Sequence, residues 1–134
     1  MGLAEKRALE EIKKNMPAWE KRIQTAAQTT LPIEVKWDSL IKDDTANYAV
    51  EAFEKIFVTS VEQGLKEICR DQIGKEAVTS SVKSIVIKNE NNISNGDYWV
   101  QFTSGVLTLD HAAVNIDSID DRAKGLVTVL SKAL

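Results

Sequence analysis

One histidine, one cysteine and three neighbouring aspartates are the side chains from which this sequence could build reactive chemistry. His111 titrates nearest neutrality. Asp110 precedes it in a segment that reads as a strand, where successive side chains point to opposite faces, so Asp110 is badly placed to orient the ring. Tyr98 is the expected cross-strand neighbour and could hydrogen-bond to it. His111 and Tyr98 are therefore the candidate general acid/base pair, at the edge of a pocket between sheet and helices. A polar strand end reaching solvent accounts for the same two residues. No third group completes a catalytic set, so catalysis ranks behind binding.

Cys69 lies near the end of an amphipathic helix, with only Arg70 to activate it, and Arg70 points elsewhere on the helix. It reads as a small buried hydrophobe. One Cys and one His exclude an intramolecular disulfide and a zinc site built from Cys and His, so neither metal nor cofactor is expected. Asp117, Asp120 and Asp121 lack the spacing, central glycine and terminal glutamate of a calcium loop. They read instead as the start of a helix, with Asp117 as its cap. No glycine-rich phosphate loop, GxSxG, HExxH or CxxC occurs in the chain.

The tryptophans suggest recognition. Trp99 and Val106 fall on the expected outer face of the sheet, and Trp19 on the stripe of a first helix at the chain end. Trp is enriched at interface hot spots, which makes Trp99, Val106 and Trp19 the candidate partner-binding residues. Core packing of Trp19, and Trp99 as a cross-strand filler beside Gln101 and Asp110, are the competing readings.

The elements that must position these groups follow from periodicity. Leu9, Ile12, Met16, Trp19 and Ile23 form one stripe over residues 1–28, an amphipathic helix that Pro17 should kink or restart. Ile33, Val35 and Trp37 alternate with charged residues as a short strand. Ala49 to Ile68 presents a broad apolar face, on which small Ser60 and Gly64 admit a close neighbour. Lys75 to Val82 reads as a small helix bounded by Gly74. Ser84–Lys88, Tyr98–Thr103 and Val106–His111 read as a β-meander, with Ser104-Gly105 as a two-residue turn pairing Thr103 with Val106 and Tyr98 with His111. The final helix carries Ile119, Ala123, Leu126, Val127, Leu130 and Leu134 on one side, opposite Arg122, Lys124, Thr128 and Ser131.

The expected fold is α+β, in the order α-β-α-α-β-β-β-α, with a mainly antiparallel sheet and helices on one face. It forms a single domain over 1–134. The chain has 134 residues, 43% of them hydrophobic, and a net charge of −3. That length supplies a core without staples. No apolar run approaches the length of a membrane span or a signal peptide. The six cations of residues 1–28 are interleaved with four acids, which does not make a nucleic-acid footprint. A cytoplasmic protein-interaction module of the accessory, inhibitor or immunity type is the leading expectation. Its partner is a protein or a second copy of the chain, with neither nucleic acid nor membrane involved. A small-ligand pocket near Tyr98 and His111 is the alternative.

Overall fold

The computed structural model describes residues 2–134. α1 spans Leu3–Ala27 and runs through Pro17 without interruption. Pro17 is exposed, so the bond that its missing N–H forfeits lies on the watered side of the helix. The opposite stripe buries Ile12, Met16, Trp19 and Ile23. β1 is Ile33–Val35, and Trp37 already belongs to a short 3-10 turn, Trp37–Ser39. A second 3-10 segment, Asp43–Tyr48, leads into a continuous helix over 49–68. It consists of α2 (Ala49–Phe53), a π-helical stretch (Glu54–Thr59) and α3 (Ser60–Ile68).

α4 spans Gln72–Ser81, three residues earlier than its apolar pattern implies, because Asp71 caps it by accepting from the Gly74 N–H at 2.9 Å. Gly74 is thus inside the first turn rather than a boundary. A Cβ there would sit 1.6 Å from the Ile68 carbonyl oxygen, so the turn between α3 and α4 requires glycine. The strands that follow are β2 (Ser84–Lys88), β3 (Val100–Thr103) and β4 (Val106–Asp110), and α5 spans Ile119–Ala133.

The fold is α+β, but the sheet is mixed, in the order β1-β2-β4-β3. β2 pairs parallel with both β1 and β4, and only β3 with β4 is antiparallel. The expectation of a β-meander over 84–111 is corrected here: β4 lies between β2 and β3. Segment 89–99 carries the chain past the place of β4 to β3, which runs antiparallel to β2, and the hairpin then returns β4 between them, parallel to β2.

The hairpin itself keeps its expected register, Thr103 with Val106 through Val100 with Leu109. Ser104 and Gly105 both take positive φ, +52° and +83°, the backbone of a turn matched to strand twist. Ile85, Ile87, Leu107 and Leu109 share one face and are fully buried. Val86, Thr108 and Gln101 share the other, which stays partly open.

Two close approaches fix the helices. α3 packs on α5 through Gly64, whose added Cβ would lie 2.7 Å from Leu126 Cδ2. A chain of ring contacts then links the first helix to the sheet end. Trp19 stacks on Phe53 at 5.6 Å, Phe53 meets Phe57 at 5.3 Å, Phe57 meets Trp99 at 6.4 Å, and Trp99 meets the His111 ring edge-on at 5.9 Å. No helix among the described residues is long and apolar enough to cross a membrane.

Candidate functional site

The strand alternation that should bring Tyr98 onto His111 fails at the open end of the hairpin. Residues 96–98 form a turn, closed by the Tyr98 N–H donating to the Asn95 carbonyl. Trp99 still pairs through its backbone, accepting from the Asp110 N–H at 2.9 Å, but its ring swings into the core. Trp99 is 0% exposed, and its Nε1 donates to the Arg122 carbonyl at 2.9 Å. Tyr98, displaced from the sheet, is 69% exposed.

Two expectations are thereby corrected. Tyr98 and His111 do not make a pair, and Trp99 is not on an outer face where a partner could reach it. Trp19 is likewise buried, within the aromatic chain, and Val106 is half-covered on the sheet's open face.

The structure gathers a different set around His111, which is 1% exposed. Its Nδ1 lies 2.6 Å from the Ala112 carbonyl oxygen, which can only accept, so Nδ1 carries a proton. That leaves a lone pair on Nε2. Among the described residues, His111 Nε2 is the one buried side-chain nitrogen or oxygen without a hydrogen-bond partner. Burial pushes the His111 pKa below its ordinary value. The Ala112 bond opposes this shift, while the nearby Arg122 charge reinforces it. The ring is therefore neutral at pH 7, with an acceptor to offer.

Arg122 is the second member, and the sequence pattern misplaced it. Expected on the wet side of α5, it is 1% exposed. Its Nε donates to Ser60 Oγ at 2.9 Å, Nη1 to the Asn115 carbonyl at 2.7 Å and Nη2 to the Ile116 carbonyl at 2.6 Å. All three acceptors are neutral. No carboxylate of the described residues lies within ion-pair distance of this guanidinium. Burial accordingly lowers its pKa to about 10, against the weaker pull of Asp117 and Asp121. A buried cation usually has a counter-charge in contact, whereas this one touches only dipoles and feels Asp117 and Asp121 at longer range. The spacing held a signal: Arg122 is four residues before Leu126 and eight before Leu130, on the stripe that packs inward.

Ser60 ties this cluster to the π-helical stretch. Its hydroxyl donates to the Lys55 carbonyl five residues back at 2.8 Å while accepting from Arg122. Single π turns recur at functional positions because the extra residue re-aims the side chains that follow.

Behind the cluster the segment 93–98 lies hard against α5. A Cβ on Gly125 would fall 1.9 Å from the Gly96 carbonyl oxygen, and one on Gly96 2.7 Å from the Asp121 carbonyl oxygen. Beside this contact opens a polar cleft of about 360 Å³, lined by Ser94, Asn95, His111, Ser118, Asp121 and Arg122 among others. That is the low end of small-molecule sites.

Asp117 does not cap α5 as expected, whereas Asp120 and Asp121 do lie in its first turn. Ser118 occupies the cap position and makes no side-chain cap bond. Asp117 instead accepts from Lys55 Nζ at 2.7 Å, and Asp120 from Gln63 Nε2 at 2.8 Å. Both contacts bridge to the helix over 49–68, so tertiary pairing displaces the local cap. Asp110 is buried and holds the 90–91 turn, accepting from the Glu90 N–H at 2.9 Å and Asn91 Nδ2 at 2.6 Å. Cys69 is buried, 3.6 Å from the Ala27 carbonyl, and burial pushes its thiol pKa up, away from nucleophilic use. No group of three or more potential metal ligands occurs among the described residues. Comparison with known proteins finds no matching family model, no matching curated protein and no matching solved structure.

Proposed function

We propose that the protein binds a small polar ligand in the cleft between segment 93–98, the chain around His111 and the start of α5. The single observation that carries this reading is the unpartnered, fully buried Nε2 of His111, in a residue that lines the cleft together with Arg122, a buried cation with no carboxylate in contact. Buried polar atoms are nearly always paired, and a partner arriving from outside the chain removes the cost of this exception. The neutral imidazole and the guanidinium bind and orient. Asp121 also lines the cleft, but it is exposed and hydrogen-bonds to neither of them.

A thermal-shift screen of small polar metabolites against the wild type and His111→Phe tests the reading. A ligand near saturation should raise the wild-type transition by several degrees and lose that effect in the variant, which keeps a ring but not Nε2. A screen in which no compound distinguishes the two proteins would sink it.

A protein-interaction module is the second reading, favoured by one surface. A groove of about 270 Å³ runs between the end of α3, the start of α4 and the end of α5, lined by Ile68, Ile73, Val127, Leu130 and Leu134. Ile73 projects from it, 81% exposed. Exposed apolar surface with a charged rim, here Glu67, Arg70 and Asp71, is the ordinary form of a protein contact. If the partner is a second copy, sedimentation should show a concentration-dependent dimer that Ile73→Asp abolishes. A monomer at high concentration removes self-association.

A further inference from the structure

We infer that the ligand of the His111–Arg122 cleft is a small monocarboxylate that also carries a hydrogen-bond donor, the chemistry shared by hydroxy acids and amino acids. This rests on the ligand-binding reading above.

The negative charge is required by Arg122. A guanidinium has five N–H groups, and three are committed to Ser60, Asn115 and Ile116, which leaves two on the Nη atoms. A carboxylate accepts from such charged N–H donors more strongly than any neutral acceptor does. The same wall carries the first turn of the fifteen-residue α5. Its N–H groups receive no side-chain cap from Ser118, and its dipole adds positive potential.

The donor is required by His111. With Nδ1–H held by Ala112, Nε2 can only accept, and a carboxylate oxygen facing it would be repelled. An adjacent hydroxyl or amino group on the ligand supplies the missing proton.

The charge is single because Asp121 lines the cleft and is exposed. Its neighbours Asp117 and Asp120 are engaged with Lys55 and Gln63. A dianion such as inorganic phosphate meets the full repulsion of the Asp121 carboxylate.

Because His111 is the only histidine, its Cε1–H resonance reports on the cleft without assignment. The chain is titrated at pH 7.5 and matched ionic strength with glycolate, acetate, glycolamide, inorganic phosphate and sodium chloride. Glycolate should move the resonance saturably, with glycolamide, which lacks the charge, at least about tenfold weaker. Acetate lacks the donor and should be about fivefold weaker. Asp121→Asn alters an exposed side chain that no hydrogen bond holds, so the fold survives. It should tighten glycolate about twofold to fivefold and leave glycolamide unchanged.

Glycolamide equal to glycolate overturns the charge assignment while the cleft stands. Acetate equal to glycolate overturns the donor, and phosphate as tight as glycolate overturns the single charge. If none of the four compounds acts beyond sodium chloride, this inference and the ligand-binding reading fall together.

Discussion

At its turn, the β3–β4 hairpin follows the alternation of side chains residue by residue. Ser104 and Gly105 take the left-handed backbone, and four cross-strand pairs run in register behind them. At its open end the same hairpin departs from alternation. Tyr98 leaves the sheet, Trp99 turns inward onto Arg122 and His111 enters the core with one nitrogen unmatched. The turn end depends on backbone geometry alone, which few residues decide. The open end depends on α5, segment 93–98 and the helix over 49–68 arriving together, and polar groups are buried there at a cost that the turn does not carry. Local rules govern the first end and tertiary demand the second.

The sharpest way to break this contrast is Arg122→Ala. It strands the Asn115 and Ile116 carbonyls and opens a hole beside His111, and should cost about 3–4 kcal/mol by urea denaturation. A loss below about 1 kcal/mol would mean the cluster is not under demand. Gly125→Ala comes next, at about 2–3 kcal/mol, because a methyl group cannot share space with the Gly96 carbonyl without moving segment 93–98.

The third effect depends on pH. His111 has a depressed pKa in the fold, so the unfolded chain binds its proton first as pH falls. Its contribution is fully present above pH about 6.5. It is lost on acidification at up to about 1.4 kcal/mol per pH unit until the folded ring also protonates. Denaturation midpoints at pH 7 and pH 5 should therefore lie closer together for His111→Gln than for the wild type. Parallel losses in the two proteins would contradict the neutral buried ring. At the turn, Gly105→Ala forces a Cβ into φ of +83° and should cost only about 1 kcal/mol, with the pH response untouched. Tyr98→Ala should change stability by less than about 0.5 kcal/mol, since the ring is mostly in water.

The same contrast separates what was legible in the sequence from what was not. The helical stripes, the strand segments and the hairpin register are short-range patterns, and each can be read from spacing at Ile12–Ile23 or at Ser104-Gly105. The sheet order could not be read, because parallel pairing of β2 depends on where 89–99 travels rather than on any residue within β2. At the candidate site, His111 was visible as the lone titrating ring. Strand alternation points to Tyr98 as its partner, but alternation ends one pair earlier, where residues 96–98 form a turn. The charge of Arg122 points to water, whereas its spacing from Leu126 and Leu130 puts it on the inner stripe. Charge and position disagree at this residue, and position decides.

The mixed strand order has a consequence for how the chain reaches its native state. β2 occupies the middle of the sheet, yet neither of its neighbours is adjacent to it in sequence: β1 lies before α2, α3 and α4, and β4 lies beyond β3. Only the β3–β4 hairpin can assemble from nearby residues. The loop-closure entropy for seating β2 must be met before its contacts offset it, which slows folding relative to a meander of the same length. Until β2 docks, β4 presents an unpaired edge bearing Leu107 and Leu109. The folding chain is therefore most exposed to association with other copies at that stage, before the fold that hides this edge is complete.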